Sequence, residues 1–329
     1  MFCEYLVKDI TCKFKPKFNY LSKNYCTRHY NIIQKSLNEK NINKDDELIL
    51  ELKNILTKYK ILYDSIEYLD KDTFNIIYLI SFQNNKYILK YQNLLNNKNL
   101  LYYEYILLSQ VFNNHNNIVK LDSINKKNYI YIKDSYSILL QEYLIENLQR
   151  KKERYNFTLN EILDISIQLI NVIKYIHSNK YLYIDLKPQN IMFIDNNTNN
   201  IKLIDFNLCN KYINVYSEFY PNIKLSNRNG NDLFSSRNIN KGFRGQRTDD
   251  IESILYIILY LLDDNLFTDL YNEKNIQNII LLKESIFLIK LYKYDFIKLL
   301  IIEINNLLLI EHKKPNYNRL LEILNQAKQ

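Results

Sequence analysis

The sequence predicts an α+β fold in two lobes, a small antiparallel β-sheet lobe carrying one key helix and then a larger, mainly helical lobe. Three observations point there. Short β-branched and aromatic runs concentrate in residues 61–143, helical periodicity dominates 144–329, and a polar cluster of Asp185, Lys187, Asn190 and Asp205 follows the junction. A chain of 329 residues is long enough for one such two-lobed domain. Residues 1–60 stand apart as an N-terminal extension.

The extension is rich in lysine and tyrosine. Within it, Asp45–Leu62 reads as an amphipathic helix, with Leu48, Leu52, Ile55 and Leu56 at helical spacing. A capping helix on the following domain and a simple extension both fit. Strands are expected at Phe74–Ile80 and Lys86–Tyr91, joined by a turn at Asn84-Asn85. Leu100–Val111 is helical in period and contains Glu104. Ile118–Leu121, Tyr129–Ile132 and Ile138–Tyr143 read as three more strands. Thr158 and Glu161 form a capping box for a helix over Leu159–Ser178. A strand pair brackets the polar cluster, with Asp195–Asn200 as the turn between its two halves. Asp250–Leu262 is a strongly apolar helix, and helices continue to the end.

Composition narrows the class. Hydrophobic content of 47% against 24% charged residues is that of a globular chain, not a disordered one. The net charge of +8 reflects lysine spread along a sequence biased to Asn, Ile, Lys, Leu and Tyr, as AT-rich codons give. Without an arginine-rich tract or aromatic-basic repeat, a specific nucleic-acid ligand is not expected. Cys3, Cys12, Cys26 and Cys209 show no C-x-x-C pair, and Cys26 with His29 fits no zinc spacing, so reduced thiols are expected. The longest apolar run, near Ile254–Leu262, is too short to span a bilayer. No signal-peptide core opens the chain. A soluble intracellular, cytoplasmic protein with no membrane partner is the expectation.

Tyr181-Leu182-Tyr183-Ile184-Asp185-Leu186-Lys187-Pro188-Gln189-Asn190, followed by Lys202-Leu203-Ile204-Asp205-Phe206-Asn207, carries the chemistry. Two carboxylates, a lysine and an asparagine can move a phosphoryl group. Asp185 would orient a hydroxyl nucleophile and Lys187 would neutralise charge on the transferred group. Asn190 and Asp205 would supply oxygen ligands to Mg²⁺.

These stretches resemble the catalytic and metal-binding loops of the protein kinases, H-R-D-L-x-x-x-N and then D-F-G. Lys90, at the end of Tyr87-Ile88-Leu89-Lys90, falls where kinases have V-A-I-K, and Glu104 falls on the following helix. The resemblance implies that Lys90 holds the ATP phosphates and that Glu104 fixes its rotamer. It makes Glu142-Tyr143-Leu144 the hinge, whose backbone takes the adenine edge. By the same resemblance, Leu69, Ile77, Glu142 and Leu144 belong to the nucleotide site. Further on, Gly230, Phe234-Ser235-Ser236, Asn238 and Gly242 lead into Thr248-Asp249-Asp250-Ile251-Glu252-Ser253. This is similar to the casein kinase I group, which includes the vaccinia-related and poxvirus kinases, as is Lys314-Pro315-Asn316-Tyr317. The resemblance covers about residues 61–325. It implies a bilobal kinase-like fold, ATP and Mg²⁺ as cofactors, and a protein substrate. It also implies a buried Asp250 bracing the catalytic loop, for which an exposed helix N-cap is the alternative. With the composition, it suggests a viral protein in a host cytoplasm.

Departures from the pattern are equally specific. The glycine-rich loop falls on Asp70-Lys71-Asp72-Thr73-Phe74-Asn75, which keeps the phenylalanine and loses every glycine. A carboxylate about 6 Å from a phosphate costs roughly 3 kcal/mol at an effective dielectric of about 20. Ile184 replaces the H-R-D arginine, Tyr183 its histidine, and Asn207 the D-F-G glycine, with asparagine able to take a left-handed conformation. Leu233 stands where casein kinase I members carry arginine. Lys241, Arg244 and Arg247 would either compensate or form a solvated loop. The expected function is a serine/threonine protein kinase. The alternative is a pseudokinase that binds a regulatory protein partner, and a small-molecule kinase is a third option.

Overall fold

In the computed structural model the strand-rich half is one antiparallel sheet and the rest is helical, as the periodicities dictate. The structure describes residues 48–71, 74–95, 98–133, 135–226, 230–262, 265–288, 293–309 and 311–328, with four short strands between residues 6 and 25. The chain separates into two compact units, Met1–Leu62 and Tyr63–Gln329.

The first unit holds the hairpins β1 (Leu6–Val7) with β2 (Ile10–Thr11), and β3 (Phe18–Tyr20) with β4 (Lys23–Tyr25). Helix α1 follows over residues 48–58 and buries Leu52, Ile55 and Leu56. It stops short of the expected Leu62 because Lys60 takes a positive φ of 55° and the Ile61 N–H turns back to the Leu56 carbonyl. Residues 45–47, Cys3, Cys12, Cys26 and His29 lie outside the described residues.

The second unit opens with a five-stranded sheet in the order β5-β6-β7-β9-β8. Its strands are β5 (Ser65–Lys71), β6 (Ile76–Phe82), β7 (Asn85–Asn93), β8 (Tyr129–Ile132) and β9 (Tyr136–Glu142). The sequence had not singled out β5, an exposed edge strand whose charges hide the alternation. The hairpin turn is Gln83-Asn84, one residue before the expected Asn84-Asn85. Both residues have positive φ (51° and 65°), and Asn85 pairs with Phe82. Ile118–Leu121 is not a strand. It bridges Leu203 at Ile118 and Gln141 at Leu121, crossing between two sheets and laddering with neither. Helix α2 (Leu100–Ile106) runs on into a π turn over Leu107–Val111.

The helical lobe contains α3 (Leu148–Arg154), α4 (Leu159–Ser178), α5 (Arg237–Asn240), α6 (Arg247–Leu261), α7 (Asn265–Asn272), α8 (Ile276–Leu288), α9 (Asp295–Leu308) and α10 (Tyr317–Ala327). The Thr158–Glu161 capping box starts α4, each side chain bonding the other's backbone N–H. Helix α6 is buried on nearly every side, polar in its first two turns and apolar after them, and lies at the centre of the lobe. Two small sheets support the polar cluster. In one, β10 (Glu146–Asn147), β12 (Ile191–Phe193) and β13 (Ile201–Leu203) pair; in the other, β11 (Tyr181–Leu182) pairs β14 (Asn210–Lys211). No described helix is long and apolar enough to cross a membrane.

Candidate active site

The site begins on β7, where side chains two apart share a face. Gln92 accepts the Leu100 and Leu101 N–H groups at 3.0 and 3.3 Å and so fixes the start of α2. Lys90, two residues back, meets Glu104 one turn into that helix, with Nζ 2.8 and 2.9 Å from the two carboxylate oxygens. Both residues are buried, and Gln141 Nε2 gives Glu104 a third hydrogen bond at 3.0 Å. The same helix reaches the polar cluster, because the Tyr103 hydroxyl donates to the Cys209 carbonyl at 2.7 Å. Sequence reasoning missed Gln92 and Gln141; buried polar residues on a central strand were the available signal.

The loop after β11 is held from behind. Asp250, on the first turn of α6, accepts the Tyr183 and Ile184 N–H groups at 2.8 Å each. His177 Nε2 lies 2.8 Å from the same carboxylate, and its Nδ1 lies 2.7 Å from the Tyr317 hydroxyl. A neutral His177 that donates through Nε2 and accepts at Nδ1 satisfies both contacts. Asp250 is therefore buried and bonded rather than an exposed N-cap, the cap position of α6 being Gln246. Ile184 is bent to a φ of +72°, strained for a β-branched residue.

That bend presents Asp185. Its Oδ2 accepts from Lys187 Nζ at 2.5 Å and from Asn190 Nδ2 at 3.0 Å, and Asn190 also donates to the Asp185 carbonyl at 2.9 Å. Burial raises the Asp185 carboxyl above the ordinary aspartate range; Lys187 works against this and the nearby Asp205 adds to it. Asp205 follows β13 with a φ of +61°, its Oδ1 accepting the Asn207 N–H at 3.4 Å. The left-handed residue is thus Asp205, where Asn207 had been expected. Phe206 is buried against Phe112 and Tyr183, with ring centroids 5.4 Å away in each case. The Tyr183 hydroxyl donates to the Ile204 carbonyl, tying the two halves of the cluster together. Burial above all, with Asp205 and Asp185 nearby, pushes that hydroxyl well above its usual range.

The remaining expected residues lie around this cluster. Ile77 pairs directly with Lys90 across β6 and β7, and Leu69 sits in the bulge where β5 shifts register between Tyr68 and Asp70. Leu144 is buried just after β9. Glu142 departs from the hinge expectation. Its N–H donates to the Lys120 carbonyl at 3.1 Å, and its carboxylate takes Lys202 Nζ at 2.5 and 2.7 Å and the Lys120 N–H at 2.6 Å. These groups are spent inside the protein.

Three buried ionic groups hold the segment after Gly230. Asp249 accepts from Ser236 Oγ, Asn238 Nδ2 and the Gln246 N–H, while Glu252 takes Arg237. Lys283 of α8, fully buried, donates to the carbonyls of Asp232 and Ser235 and to Asn240 Oδ1 at 2.9, 2.5 and 2.6 Å. Nothing in the lysine-rich sequence marks Lys283 out. Gly230 (φ +80°) and Gly242 (φ +86°) supply the left-handed turns, and a Cβ on Gly230 would fall 2.4 Å from Ser235 Oγ. Asn231 Nδ2 reaches Asp185 Oδ1 at 3.5 Å, joining this segment to the site. Arg244 and Arg247 stack on Tyr220 and Tyr212, and Lys241 pairs with Glu284.

Comparison with known proteins identifies the fold. Residues 81–298 match the model of the protein kinase domain. A probable casein kinase I homolog of Encephalitozoon cuniculi (strain GB-M1) is 30% identical over 127 residues, which is 39% of this chain and 39% of that protein. A solved structure of vaccinia related kinase 3 superposes with a TM-score of 0.66 over 79% of this chain and 85% of that one, at 16% identity. The fold is the protein kinase fold, and both relatives lie on the casein kinase I and vaccinia-related side noted in the sequence. With its domain model matched over most of the chain, the protein belongs to the protein kinase family.

Proposed function

We propose that the chain is an active serine/threonine protein kinase that transfers the ATP γ-phosphate to a protein hydroxyl. The formed Lys90–Glu104 pair carries this reading. Burying two charges costs several kcal/mol of desolvation per ion, and a well-packed apolar pair would serve stability as well. A buried lysine locked in one rotamer is explained by a phosphate that it must meet. Asp185 takes the proton of the substrate hydroxyl. Lys187 stands beside the transferred group. The adenine edge falls to the backbone of Tyr143 and Leu144, between apolar contacts from Leu69 and Ile77.

Asn190 and Asp205 fit Mg²⁺ by donor chemistry. The Asn190 amide nitrogen is occupied by Asp185, which leaves its oxygen as a hard ligand, and the Asp205 carboxylate would be a second. When bound, Mg²⁺ would neutralise charge on the phosphate oxygens.

The glycine-free β5–β6 turn favours a second reading, a pseudokinase that keeps the fold to bind a regulatory partner. One assay separates the two: purified protein with labelled ATP, Mg²⁺ and casein, beside Asp185→Asn. We expect label incorporation that falls at least a hundredfold in the variant. Equal incorporation, or none together with no thermal shift from ATP and Mg²⁺, selects the scaffold.

A further inference from the structure

We propose that the pocket between the C-terminal end of α4 and the start of α10 is an anion site that takes a phosphomonoester dianion. The cavity measures about 260 Å³, and its lining includes Lys174, Lys180, Arg247 and Lys314 but no carboxylate. Among the described residues, none of these four cations pairs with an acid. Lys174 Nζ donates to Asn318 Oδ1 at 3.1 Å, and Arg247 donates to the His312 carbonyl while stacking 4.9 Å from the Tyr212 ring centroid. Three other cations of the fold do meet a carboxylate: Lys90 that of Glu104, Lys202 that of Glu142 and Arg237 that of Glu252. The C-terminal end of α4 offers only about half a negative charge, too little for four cations.

The size and donors specify the ligand. The cavity is smaller than the roughly 300–1,000 Å³ of sites that enclose a drug-sized molecule, so it suits a head group rather than a whole nucleotide. Ammonium groups and a guanidinium match the acceptor oxygens and near-double charge of a phosphomonoester better than a single carboxylate. The inner wall is His177, Tyr212 and Tyr317, all buried. It is continuous with the Tyr317–His177–Asp250 chain whose carboxylate holds the Tyr183 and Ile184 N–H groups. An anion here sits behind the loop that presents Asp185 and steadies it. The site does not rest on the phosphotransfer reading, since an inactive chain would bind the anion equally.

Inorganic phosphate is the probe, titrated calorimetrically into the full chain with chloride replaced at fixed ionic strength. Phosphate should bind above chloride and bind at least tenfold more weakly to the double variant Lys180→Gln/Lys314→Gln. Both side chains are exposed at their tips, so folding is preserved. Lys241→Gln/Lys298→Gln, exposed lysines elsewhere, should bind as the unchanged protein does. Acetyl-phosphoserine amide binding at least as tightly as phosphate assigns a phosphorylated residue as the source, and weaker binding assigns the free anion. No binding beyond chloride, or unchanged binding by the double variant, overturns the site.

Discussion

The loop at residues 181–190 and the turn between β5 and β6 would face opposite sides of the same phosphate chain, and they are built differently. The loop is buried and bonded at nearly every polar atom: Asp250 holds its backbone, and Lys187 and Asn190 hold its carboxylate. The turn leaves an exposed edge strand, has an exposed Phe74, and carries Asp70 and Lys71 in place of glycine. In the loop a carboxylate and two backbone N–H groups are held by other side chains, whereas β5, which leads into the turn, is an edge strand paired with β6. The difference teaches where function would be lost first. The Asp185 loop is backed by the core of the large lobe, while the position of the glycine-rich loop lies on an edge hairpin of the sheet.

Breaking the brace tests the first half of this contrast. Asp250→Ala leaves two buried N–H groups and His177 without their acceptor, at about 1–3 kcal/mol each. We expect a loss of at least about 3 kcal/mol, read as a fall in melting temperature of roughly 6–12 °C. Phe74→Ala in the turn should move it by less than about 2 °C, because exposed positions contribute about 0.5 kcal/mol or less. Equal effects at the two positions would erase the contrast.

The segment packed against the loop should carry a pH signature. Burial pushes the Asp249 carboxyl up to about 7, against the pull of Ser236, the Gln246 N–H and Asn238. A carboxyl raised in the folded state keeps its proton while the unfolded chain, near 3.8, has lost it. Stability therefore falls as pH rises from about 4 to 7 and levels above, by up to about 1.4 kcal/mol per pH unit. Asp249→Asn keeps the shape and removes the titration. Chemical denaturation at several pH values should show the unchanged protein losing ground to the variant over that window only.

The smallest effect sharpens the other half. Asp70→Gly removes a carboxylate from the turn and lets backbone approach phosphate. KM for ATP should fall several-fold with kcat nearly unchanged, the mark of binding shared by ground and transition states. A rise in kcat instead would place the limitation in the chemistry.

Much of this was legible before any fold was known. Lys90, Glu104, Asp185, Lys187, Asn190 and Asp205 occur in an order and on elements that few arrangements share. The α4 capping box and the apolar α6 follow from local rules that act within a few residues. Register slipped by one at Gln83-Asn84, because two adjacent polar pairs offer the same turn chemistry and only strand pairing chooses between them.

By itself the sequence determined the antiparallel sheet, the helix inserted in it and the mainly helical remainder, since periodicity is a local property. Tertiary structure alone decided that Lys283 is buried under the Gly230 segment, that Gln92 starts α2, and that Tyr317, His177 and Asp250 form one line behind Asp185. Those contacts join residues from eight to 140 positions apart. A lysine or histidine looks the same in a sequence whether it meets water or a buried partner, and packing makes that distinction.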